Sequence, residues 1–176
     1  MVKNTMLLIL LSVLGVNMKI RTGFVSNSSS SSFILFFDRE IKIINDLKES
    51  LGDINTIHER WTGEIEEYSE KKILESILEN IDNTDESLIE ILSNDNVEIK
   101  GFDEDSPEYA YEKQDWAEQE KKFLEYGRRK MEFMKKKHQD KFIYTASYSD
   151  QDGTFGTFME HYFNWGNIKV IRISQH

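Results

Sequence analysis

Glu160 and His161 stand side by side in "FMEHYF", His176 closes the run "IRISQH", and Asp150 lies just upstream in "SYSDQDG". Two imidazoles with one or two carboxylates form a donor set that can hold a divalent ion, and such an ion activates water for hydrolysis. Asp150, Glu160, His161 and His176 are therefore candidate ligands for one divalent metal ion, with Glu160, His161 and His176 as candidate acid-base groups. The spacing is far less specific than two histidines one helical turn apart. A second candidate is the run Asn27, Ser28, Ser29, Ser30, Ser31 and Ser32. Consecutive N–H groups and hydroxyls can form a concavity that receives a phosphate or carboxylate. No G-x-x-x-x-G-K pattern accompanies the run, which argues against a nucleotide loop of the usual kind. The default reading of the run is a linker or structural loop, the anion-binding concavity is the sharper one, and a modification or cleavage site is the third.

The elements that must position these groups read as a mixed fold. "KFIYTASYS", "TFGTFMEHYF" and "IKVIRIS" have strand composition, and Asp152-Gly153 between the first two is a hairpin signal. Alternation on such a hairpin would put Glu160 and His161 on opposite faces, which works against a simple dyad. With "SSFILFF" and "NVEIKGF", about five mostly antiparallel strands are expected. In "DREIKIINDLKESLG" the stripe Ile41, Ile44, Leu47 and Leu51 predicts a helix capped by Asp38 and ended at Gly52. A second helix is expected over 62–81 behind Thr62, and a third behind Asn83 with Glu86 as its reciprocal partner. One long helix should run from Pro107 to about His138, on a seam of Tyr109, Trp116, Phe123, Gly127, Met131 and Met134. The expected fold is α+β, a single domain with one sheet, its helices packed on one face.

Composition narrows the function. A chain of 176 residues, 39% hydrophobic, is long enough for one buried core, and a formal charge of -10 disfavours a surface built for phosphate backbones. The absence of cysteine excludes disulfides and thiolate metal clusters. Six cations between Arg128 and Lys137 read as complements to a helix C-terminus, with a local anion-binding patch as the alternative. The acidic stretch from Asp38 to Asp105 reads as solvated helix faces, with a DNA-mimicking decoy as the alternative. Residues 1–17 resemble either a mis-called start extension, with Met18 the true start, or a signal-like segment. The first makes the protein cytoplasmic, with residues 18–176 as the domain; the second would export it. Membrane contact is expected only if that apolar segment is retained.

The opening "MKIRTGFVSNSSSSSF" and the closing "SYSDQDG", Glu160-His161 and "RISQH" resemble a family of small uncharacterised phage and bacterial proteins. The matching positions are Gly23 to Phe33, Tyr148 to Gly153, Glu160, His161 and Arg172 to His176, about a quarter of the chain. Gln175 departs from the histidine of that pattern. The resemblance implies a phage-like context and no particular chemistry. Two functions remain open: an accessory protein that binds a host or phage macromolecule, with a protein favoured over nucleic acid, or a metal-assisted hydrolase using Glu160, His161 and His176.

Overall fold

The structure is a computed structural model, and it describes residues 30–59, 62–94, 97–107 and 116–175. Its centre is strand β1 (Ser30–Phe37), buried from Ser31 onward. β1 pairs antiparallel on one side with β4 (Phe142–Ser149) and on the other with β5 (Lys169–Gln175). Ser31 sits opposite Tyr148 and Ser174; Phe33 sits opposite Ala146 and Arg172.

The class is α+β, as expected, but among the described residues the five strands divide into this sheet of three and a separate ribbon of two. The helices do not share one face, because "FILFF" is apolar without alternation, so both faces of β1 must be covered. Phe33, Leu35 and Phe37 meet α1 (Ile44–Leu51) and α2 (Glu70–Asn80) through Leu47, Ile73 and Ile77. Ile34 and Phe36 meet α3 (Asp85–Leu92) and α4 (Trp116–Lys137) through Leu88, Leu92, Met131 and Met134. Each such buried side chain contributes about 1.5–3 kcal/mol of hydrophobic stabilisation.

Local signals set the helix boundaries. α1 ends at Gly52, whose φ of 71° is open to glycine, as the sequence predicts. Asp38 does not cap α1; it ion-pairs with Lys141, while Asp46 accepts the N–H groups of Lys42 and Ile43 at 2.9 and 3.0 Å. Those backbone bonds hold the Asp46 carboxyl below its ordinary value. The expected helix over 62–81 is shortened. Residues Ile65–Glu67 form β3, which pairs with β2 (Ile57–Glu59), and α2 starts only after Ser69, whose hydroxyl accepts from Lys72 N–H at 3.2 Å. For α3 the cap is Thr84 rather than Asn83, accepting from Ser87 N–H at 3.3 Å.

The long helix α4 keeps four of its expected seam residues, Phe123, Gly127, Met131 and Met134, in the interior. Trp116 is 81% exposed instead, and Tyr109 lies outside the described residues. The expected strand at 96–102 is not formed by residues 97–102. The buried Lys130 ammonium donates to the carbonyls of Val97 and Asn94 at 2.7 and 3.3 Å, so a side chain satisfies the Val97 carbonyl that a strand partner would otherwise engage.

The largest departure follows β4. The hairpin at Asp152-Gly153 is replaced by a 3-10 turn (Asp150–Asp152), helix α5 (Gly153–Thr157) and a π-helical turn (Phe158–Tyr162). Phe155, Phe158 and Met159 stand at helical spacing and pack into the core beneath β1, which outweighs their strand propensity. Among the described residues, no helix is long and apolar enough to cross a membrane.

Candidate functional site

The π-helical turn changes what Glu160 and His161 can do. It closes with Phe163 N–H donating to the Phe158 carbonyl at 2.8 Å, and it turns Glu160 inward while His161 stays near the surface. His161 Nε2 lies 3.5 Å from Glu160 Oε2, so the two groups come together rather than facing apart as a strand would require. The Glu160 side chain is fully buried, 0% exposed, beside a His161 side chain that is 32% exposed.

β1 and β5 complete the arrangement. Ser31 donates to Glu160 Oε1 at 3.2 Å, and Arg172 donates to Ser31 Oγ from Nε at 3.2 Å and from Nη2 at 3.1 Å. Arg172 Nη2 is also 3.1 Å from His161 Nδ1. Guanidinium has no acceptor, so Nδ1 must accept. The ring proton of a neutral His161 then lies on Nε2, the nitrogen that faces Glu160. A buried carboxylate is thus served by a hydroxyl and an imidazole, and one guanidinium organises both. Such a network orients its members strongly, because in a buried setting each charge-assisted bond is strengthened and each missing one is costly.

The chemistry open to this cluster is limited by how completely it is used internally. The Ser31 hydroxyl is 1% exposed as a residue and already engages both neighbours, so it has no room to attack a substrate. Tyr148, opposite Ser31, is no base either: burial pushes its phenol well above the ordinary value. Asp150 sits on the 3-10 turn, and among the described residues no three of the histidine, aspartate and glutamate side chains gather as a metal-holding group. His176, the remaining candidate ligand, lies outside the described residues.

The serine run is divided. Asn27, Ser28 and Ser29 lie outside the described residues, while Ser30, Ser31 and Ser32 belong to β1 and pair with strands on both sides. Their positions between two strands make them ladder residues rather than part of an anion-binding loop. Ser32 shares a hydrogen bond of 3.0 Å with Ser147, and both Ser31 and Ser32 are buried, which closes them to a phosphotransferase in the folded protein. Arg172 was among the positions of the family resemblance without a role of its own. Its sequence signal is a charge in the interior of the strand run "IKVIRIS", flanked on both sides by isoleucine.

The cations of α4 also find local partners. Arg129 binds Glu104 at 2.6 Å, Arg128 binds Glu125 at 2.6 Å, and Lys135 ion-pairs with Asp85. At the end of this helix His138 stacks on Phe36 with ring centroids 4.7 Å apart, and its Nε2 is 3.1 Å from Lys169 Nζ. Burial first, then Lys169 and Lys137, holds its pKa below 6.5. A histidine depressed in the folded state stabilises the protein above the unfolded value and loses that contribution as pH falls through the folded one. Thermal midpoints should therefore fall as pH drops below 6.5, and His138→Gln should make that fall shallower than in the wild-type protein.

Two hollows are lined elsewhere, an open one of about 440 Å³ around Phe102, Arg129 and Phe133, and one of about 320 Å³ around Lys135, His138 and Phe142. Neither is lined by Glu160, His161 or Arg172. No protein-family model, no curated protein and no solved structure matches this chain, so its function rests on the geometry above.

Proposed function

We propose that this protein is a small phage-type accessory protein that acts by binding a host or phage macromolecule, and that the macromolecule is a protein. The observation that carries this reading is the outer face of the β2-β3 ribbon, where Ile57 and Ile65 are 58% and 71% exposed. Two aliphatic side chains turned to water on one face of a short ribbon are apolar surface that a partner can cover. The buried, internally bonded Glu160 cluster favours the same side, because a catalytic carboxylate has to reach its substrate. The charge of -10 and the internally paired cations of α4 argue against nucleic acid as the partner.

A purified partner should form a complex of defined stoichiometry with the full chain in light scattering and titration calorimetry. If no protein that co-purifies with the full chain forms such a complex when itself purified, this reading ends. A second reading, a metal-assisted hydrolase using Glu160, His161 and His176, draws on the 3.5 Å approach of Glu160 and His161. Native mass spectrometry with and without a chelator separates the two. A chelator-sensitive mass increment of one divalent ion, abolished by His161→Ala, would favour the hydrolase.

A further inference from the structure

We infer that the β2-β3 ribbon is an acceptor for an extended segment of a partner protein in which an aliphatic residue and a lysine or arginine stand two positions apart. This rests on the binding function proposed above and names the chemistry of the partner.

The register makes the surface unusual. Ile57 pairs with Glu67 and Glu59 pairs with Ile65, while His58 pairs with Glu66 on the opposite face. His58 is buried against Tyr162 and Phe158, with ring centroids 4.1 and 6.0 Å away, so that face anchors the ribbon to the π-helical turn. The outer face is then a checkerboard of two isoleucines and two glutamates, all four exposed. Neighbours on such a face lie about 4.5–5.5 Å apart across the ribbon and about 7–8 Å apart on the diagonal. Glu59 and Glu67 have no ion-pair partner among the described residues, whereas Glu49, Glu70, Glu104 and Glu125 are all paired.

The ribbon is also incomplete as a sheet. Among the described residues it contains two strands of three residues each, and no third strand pairs with either outer edge. Two-stranded ribbons are marginal alone, and an added strand satisfies edge N–H and C=O groups while placing alternate side chains on the shared face. Along either strand the outward order is isoleucine then glutamate, Ile57 to Glu59 and Ile65 to Glu67. An incoming strand therefore meets an aliphatic neighbour and, two residues on, an unpaired carboxylate. Aliphatic and basic side chains at that spacing complement both, and acidic ones are repelled.

The test uses the full chain and a short fluorescein-labelled peptide. At every second position the peptide alternates valine with lysine, with threonine between; a control peptide carries glutamate in place of lysine. Fluorescence anisotropy should show the lysine peptide binding at least about tenfold more tightly than the control. Glu59→Lys with Glu67→Lys should lose at least about tenfold in affinity, as should Ile57→Thr with Ile65→Thr, which keeps strand-forming residues and leaves the fold intact by circular dichroism. Glu79→Lys with Glu90→Lys removes the same charge from exposed helical positions and should change affinity by less than about threefold.

Equal losses in the two charge reversals would mean general attraction to an acidic protein and would overturn the inference. So would a lysine peptide that fails to bind the wild-type chain, or ribbon variants that bind it unchanged. The broader binding function fails separately, when no purified protein forms a complex with the wild-type chain. If a partner binds and the ribbon variants keep it, the function survives and the ribbon assignment does not.

Discussion

Arg172→Ala should lower the stability of the protein by about 2–3 kcal/mol, read as a shift in the urea midpoint at constant slope. The guanidinium donates twice to Ser31 Oγ and once to His161 Nδ1, and both of these side chains contact the buried Glu160 carboxylate. Removing it leaves Ser31 without either guanidinium donor and loosens Ser31 and His161, which hold a side chain that is 0% exposed. The figure stays at or below the low end for a broken buried ion pair because Arg172 is exposed and acts on Glu160 through Ser31 and His161. Glu160→Gln removes the carboxylate whose partners Ser31 and His161 are held by Arg172. The double variant should therefore be more stable than the sum of the single changes implies, by at least about 1 kcal/mol. Additivity within about 0.5 kcal/mol would show that the four side chains touch without acting as a unit. The ring of His161 offers a separate check: nitrogen NMR shifts should report a proton on Nε2 in the neutral form, and Arg172→Ala should release that preference.

Gly127→Ala should cost about 2–4 kcal/mol, an unusually large effect for one added methyl group. A Cβ at this position would lie 2.3 Å from Ser93 Oγ and 2.7 and 2.9 Å from the backbone Ile89 O and Ser93 N. Two of those three atoms are backbone at the end of α3, so α3 and α4 would have to separate. The movement would disturb Leu88, Leu92, Met131 and Met134, which pack on Ile34 and Phe36. In a Ser93→Ala background the nearest obstacle is gone, yet the Ile89 carbonyl remains, so only part of the loss should be recovered. A Gly127→Ala variant as stable as wild type would mean that the two helices slide apart freely. The Met131 and Met134 contacts would then carry little of the fold.

Much of the helical half of the fold is legible in the sequence because its signals are local. Leu47, Leu51 and Gly52 define the end of α1 directly, and Met131 with Met134 marks the buried stripe of α4. Starts are less secure, since hydroxyl and carboxylate residues crowd the junctions, as in "WTGE" and "DNTDES". Ser69 and Thr84 each cap a helix that Thr62 and Asn83 could equally have opened. The segment from Gly153 to Tyr162 is misread for a different reason. Its aromatic content speaks for a strand, and its spacing of Phe155, Phe158 and Met159 speaks for a helix; only the space beneath β1 decides between them. That decision governs the candidate site, because alternation separates Glu160 from His161 whereas the π-helical turn brings them within 3.5 Å. Ser31 and Arg172 were unreadable as partners, lying 141 residues apart and joined only by the register of β1 with β5. The apolar continuity of "FILFF", in contrast, was a visible sign that both faces of β1 would be covered.

The position of β1 has a consequence for the order in which the protein can assemble. Its two neighbours in the sheet are β4 and β5, each paired over more than a hundred residues of intervening chain. During synthesis the segment Phe33–Phe37 leaves the ribosome with no strand to join until the residues of β4 and β5 have followed. Pairings that close such long loops form slowly. A short, uncharged, strongly apolar segment kept waiting is also the kind that associates with its own copies. Folding yield should thus depend on how quickly the last third of the chain arrives, or on a chaperone that holds the first strand until then.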